Sequence, residues 1–112
     1  MQSFVAYTNA LALVRALTPI IAALKGHSGA QADQLERACS SMVLNIAEGA
    51  RRHGKDPRRF YAMANGSANE IRAVLDLASA FGWSLADVQA RALLDRELGL
   101  LWGLTRGRRS QG

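Results

Sequence analysis

Two short polar segments interrupt otherwise apolar helical runs: Asn45-Ile46-Ala47-Glu48-Gly49 and Gly66-Ser67-Ala68-Asn69-Glu70. Carboxylates on neighbouring helices invite a carboxylate-bridged iron or manganese site, which calls for Glu-x-x-His pairs on two helices. Here Glu48 is followed three residues later by Arg51, and Glu70 by Ala73. The two histidines, His27 and His53, fall in or beside connections, so no metal is expected. Cys39 falls on an apolar helical stripe, where cysteine behaves as a small hydrophobe, and no histidine is spaced to activate it or Ser40 and Ser41. Gly26-His27-Ser28-Gly29 has neither the length nor the lysine of a phosphate loop. The expectation is a non-enzyme without a cofactor. Asn45, Glu48, Ser67 and Glu70 are assigned instead to a structural polar layer between two helices, where a buried amide fixes register and Gly66 lets the backbones approach.

Charge is the more informative chemistry. The 112-residue chain carries a formal net charge of +5, from 14 Lys and Arg against 9 Asp and Glu. The excess is local. Arg51, Arg52, Lys55, Arg58 and Arg59 cluster around Asp56, and Arg106, Arg108 and Arg109 lie near the C-terminus. Arginine suits bidentate contact with phosphate or carboxylate, so an acidic partner is expected, RNA or DNA first. Of the adjoining aromatics, Phe60 is assigned to the core and Tyr61 is left for base stacking. The two clusters are expected at opposite ends of the molecule.

The elements that hold these groups read as four helices. Phe4, Tyr7, Leu11, Val14, Leu17 or Thr18, Ile21 and Leu24 mark the face of the first, in which Pro19 predicts a kink or a break. Leu35, Ala38, Cys39, Met42, Val43, Ile46 and Ala47 mark the second, with Gly54 placed to end it. Asp56-Pro57 starts the third, with Phe60, Met63, Ala64, Ser67, Ile71, Val74, Leu75 and Ala78 facing inward and Gly82 as the stop. Ser84 and Asp87 predict a capping-box start to the fourth, with Leu85, Val88, Leu94, Leu98 and Leu101 along its face. The expected fold is all-α, an antiparallel up-down-up-down four-helix bundle over residues 1–106, with a basic tail over 107–112.

Apolar residues exceed what one such core needs. Leu13, Leu17, Ile20 and Leu24 form a second stripe on the first helix, and Leu44, Leu77, Leu93, Leu100 and Leu104 lie off the main faces. Homo-oligomerisation is the expectation. The charge-free stretch Met1 to Val14 is too short and polar to span a bilayer, and with no address visible the expected location is the cytoplasm.

Asp33-Gln34-Leu35-Glu36-Arg37-Ala38, Asn45-Ile46-Ala47-Glu48-Gly49, and Gly66-Ser67 with Glu70 resemble the four-helix-bundle family related to the 23S rRNA intervening-sequence protein. That family also includes the accessory variability protein of diversity-generating retroelements. The resemblance runs from about Asp33 to Ala78 and implies a cytosolic, ring-like homopentamer without catalysis. Met42-Val43-Leu44 stands where many relatives carry Ile-Pro-Ser, which predicts a straighter second helix and a more apolar face. The leading expectation is a non-catalytic oligomer that binds nucleic acid through its basic loop and tail. The alternative is a protein-interaction scaffold with no nucleic-acid role.

Overall fold

The computed structural model describes residues 2–52 and 56–106. Among them are four α-helices and no strand: α1 (Gln2–Lys25), α2 (Gly29–Ala50), α3 (Arg58–Ala80) and α4 (Val88–Arg106). Local signals set most boundaries. Ser28 is extended (φ −159°, ψ 111°), and its Oγ accepts from the Gln31 amide at 3.1 Å, which caps α2. The Asp56 carboxylate accepts from the Arg58 amide at 3.0 Å, but Pro57 forms a turn and α3 begins at Arg58. Gly82, at φ +81°, lets the chain leave α3: its amide donates to the Ser79 carbonyl and that of Trp83 to the Ala78 carbonyl, both at 2.9 Å.

Two predicted boundaries move. The fourth helix does not start at Ser84. Residues Ser84 to Asp87 belong to the connection, where Leu85 packs on the core, and α4 begins at Val88 with the Asp87 carbonyl accepting from Arg91. Pro19 does not divide α1, which is continuous across it. The proline is exposed, so the donor it lacks faces solvent, and Thr18 Oγ1 bonds back to the Val14 carbonyl at 2.9 Å. Gly54 and the segment 107–112 lie outside the described residues.

Each helix packs on two others, α1 and α3 both resting against α2 and α4. Leu13, Leu17, Leu35, Met42, Ile71 and Leu94 are among the side chains fully enclosed between them. The expected face of α1 is corrected. Ala6, Ala10, Leu13, Leu17, Ile20 and Leu24 face inward, while Phe4 is 62% exposed and Tyr7, Leu11, Val14 and Ile21 are half-buried. What reads as a spare stripe is therefore core. Both stripes are apolar, so periodicity cannot choose between them; small residues at 6 and 10 fit the close approach of a neighbouring helix. Leu93, Leu100 and Leu104 also pack against the core, whereas Leu44 and Leu77 are exposed. On α3, Met63 is exposed too, and on α4 so is Val88.

By length and composition α1 is apolar enough to cross a membrane, with a mean hydropathy of 1.5 in its most apolar window. The stretch Met1 to Val14 does not disclose this, because the single charge of Arg15 cuts the run. In this structure Leu13, Leu17, Ile20 and Leu24 of that helix lie in the shared core.

Candidate nucleic-acid interface

Of the predicted basic residues, Arg51 and Arg52 directly follow α2, Arg58 and Arg59 open α3, and Arg106 closes α4. Helix α4 has a definite direction relative to α1. Asn9 of α1 bonds Glu97, and His27, just after α1, stacks on Trp83, just before α4, with ring centroids 5.0 Å apart. Helix α4 thus runs from the His27 end back towards the start of α1. Ser3, Phe4 and Tyr7 line one groove with Ala47 and Ala50, so α2 ends there as well. The two basic groups therefore share one end of the molecule, which corrects the expected separation. Arg106 belongs with Arg51, Arg52, Arg58 and Arg59 rather than opposite them.

Most of these arginines already have partners. Glu48 Oε1 accepts from Arg51 Nη2 at 2.5 Å, and Oε2 from Arg52 Nη1 at 3.1 Å. The hydrogen bond from Arg51, ahead of the other contacts, holds the Glu48 carboxyl below its ordinary range. Asp56 takes Arg58 Nη2 at 2.7 Å and Nε at 2.8 and 3.0 Å, and these bonds lower its pKa to about 2. Arg59 has no carboxylate partner among the described residues. Lys55, Arg108 and Arg109 lie outside the described residues.

The aromatics exchange roles relative to expectation. Tyr61 is buried, 4% exposed, against Gly49, and is not available for stacking. Phe60 is half-buried at the surface, with the guanidinium of Arg52 4.7 Å and that of Arg59 5.1 Å from its ring centroid. Arg106 lies 4.3 Å over Trp102, which is exposed. The reversal follows from a helix-face shift of one residue: at the start of α3 the buried positions are Tyr61, Ala64 and Ala68, not Phe60 and Met63. The described part of this end thus presents five arginines, the carboxylates of Glu48 and Asp56, and the aromatic faces of Phe60 and Trp102 beside the exposed Phe4.

The four residues assigned to one polar layer occupy three levels. Ser67 Oγ donates to Ser41 Oγ at 2.8 Å, and Asn45 Nδ2 donates to the Ser41 carbonyl at 2.9 Å, so Ser41 links them. Glu48 lies at the end of α2 with the arginines, and Glu70 accepts from Gln34 Nε2 nearer the other end. Gly66 is exposed, and a Cβ there would meet nothing within 4 Å; the close approach is at Gly49 instead, against the Tyr61 ring.

Sequence reasoning missed a second polar pair. Asn9 Nδ2 donates to Glu97 Oε1 at 2.8 Å and to the Leu93 carbonyl at 3.1 Å, tying α1 to α4. Glu97 is fully buried, and burial pushes its carboxyl up to about 7 despite the Asn9 bond. The signal was a polar residue inside an apolar stripe, Glu97 between Leu94 and Leu101 and Asn9 between Ala6 and Leu13. Burial likewise raises the Cys39 thiol to about 11, with Glu36 adding to the shift. Among the described residues no three His, Cys, Asp or Glu side chains converge on a common metal position.

Four helices around one apolar core, with an arginine-rich end, define an all-α protein of basic character. The chain belongs to the 23S rRNA-intervening sequence protein family, whose family model matches residues 2–96. The match takes in α1 to α3 and the first half of α4, well beyond the motif segment. Comparison with curated proteins gives no match.

Proposed function

We propose that this chain is a non-catalytic, cytoplasmic, homo-oligomeric four-helix bundle that holds RNA or DNA at its arginine-rich end. In this reading the helices run up, down, up, down, and copies assemble as a ring. Two observations support assembly: Leu44 is 67% exposed, and an open cavity of about 480 Å³ along the α1–α2 seam is lined by Leu11, Val14, Ile21 and Val43. The observation that carries the nucleic-acid reading is the gathering of Arg51, Arg52, Arg58, Arg59 and Arg106 at one end, beside Phe60 and Trp102. In a ring of parallel subunits those ends would face one side and multiply the field. Binding is set by phosphate contacts and is tolerant of sequence. A mobility-shift titration at two salt concentrations tests it: affinity falls steeply with salt, and Arg59→Gln lowers the log–log salt slope by about one. No shift at low salt sinks the reading.

A protein scaffold is the second reading, favoured by one specific fact. Glu48 and Asp56 already engage Arg51, Arg52 and Arg58, which leaves less free charge for phosphate than the sequence suggests. Affinity capture with nuclease treatment separates the two: a partner retained after digestion supports the scaffold.

A further inference from the structure

Glu97 has no exposed surface, and only one of its carboxyl oxygens is engaged: Oε1 accepts from Asn9, while Oε2 has no hydrogen-bond partner among the described residues. Asn9 has no third amide hydrogen to offer, since its other one goes to the Leu93 carbonyl. That second bond also fixes which way the Asn9 amide points, because the Leu93 carbonyl can only accept. An ionised carboxylate here would be a charge with a single donor in a site closed to water, whereas the neutral acid is tolerated.

Little else offsets such a charge. Among the described residues, Arg96, the next residue back on α4, is the one cation that acts on Glu97, and it is exposed. Helix α1 presents the neutral Asn9, and its Arg15 is exposed. On α3 the Asp76–Arg91 pair sets the level against α4; that register brings the half-buried Glu70, which accepts from Gln34 of α2, and the buried Ile71 to the level of Glu97, and neither supplies a cation.

We infer that the α1–α4 seam is a proton-dependent latch, closed while Glu97 holds its proton and loosened when Glu97 ionises. The sign follows from burial. Folding raises this carboxyl from about 4.5 to about 7. Its contribution to stability is complete below pH ~4.5 and is lost as pH rises through ~7. The inference is independent of any nucleic-acid role, since Glu97 is remote from solvent and touches none of the arginines of the basic end.

Thermal unfolding of the full chain between pH 5 and 8 tests the latch, wild type beside Glu97→Gln. The wild-type Tm should fall by roughly 5 °C or more relative to the variant across that range. Parallel pH profiles overturn the inference. Should Glu97→Gln fail to fold, calorimetry of the wild type at pH 6 in two buffers of different ionisation enthalpy decides: about one proton released on unfolding supports it, and none overturns it. Hydrogen exchange adds the location. Protection corrected for intrinsic rate should drop between pH 6 and 8 in α1 and α4 before α2 and α3; a uniform drop overturns a latch at this seam.

Discussion

Gly49 and Tyr61 are in contact so close that residue 49 has no room for a side chain: a Cβ there would stand 2.7 Å from Tyr61 Cε1 and 2.9 Å from Cζ. The Tyr61 ring is itself enclosed, 4% exposed, so it cannot swing away freely. Glycine is thus what allows the last turn of α2 to lie on the first turn of α3, next to the arginines both turns carry.

Gly49→Ala should therefore destabilise, although alanine is the better helix former. The overlap costs about 1–3 kcal/mol and outweighs about 1 kcal/mol of helix propensity. Urea melts of Gly49→Ala, of Tyr61→Ala and of the pair measure this. In the double variant the Gly49→Ala cost should largely vanish, because the ring that made it is gone.

Gly66→Ala should do the reverse. Residue 66 is exposed in the interior of α3, and a Cβ there would meet nothing within 4 Å, so the gain in helix propensity stands alone. An increase of about 0.5–1 kcal/mol in unfolding free energy is expected. A loss of stability would show a neighbour at that face, such as a second subunit.

Leu44→Glu separates assembly from folding. The side chain is 67% exposed, so a charge there should leave the helical circular-dichroism signal intact. Light scattering should then report a smaller particle than the wild type. Leu100→Glu is the contrast: Leu100 packs against the core, and the charge should unfold the protomer.

Acid should weaken the start of α3. The Asp56 carboxyl is held at about 2 by its bonds to Arg58, below its ordinary 3.8. Its contribution is present above pH ~4 and is lost as pH falls through ~2. Asp56→Asn keeps a capping oxygen but has no charge to titrate, so its acid limb between pH 4 and 2 should be shallower than that of the wild type. Parallel acid denaturation curves, followed by circular dichroism, check this.

The local features of this chain were legible in its residues. Gly82 ends α3, and Leu35, Ala38, Cys39, Met42 and Ile46 face the core as their spacing predicts. Each depends on atoms within about one or two helical turns, so the order of residues suffices. Four helices and the family itself follow from that level.

Tertiary packing decided what periodicity leaves degenerate. Two apolar stripes compete on α1, and complementarity with α2 and α4 selects Ala6, Ala10 and Leu13 over Phe4, Tyr7 and Leu11. Phe60 and Tyr61 are adjacent and both aromatic; only the contact with Gly49 sends Tyr61 inward and leaves Phe60 under two guanidinium groups. Asn9 and Glu97 stand 88 residues apart, and no local rule pairs them. A buried polar group has to find its partner wherever the fold brings one, and the same pairing places both arginine groups at one end.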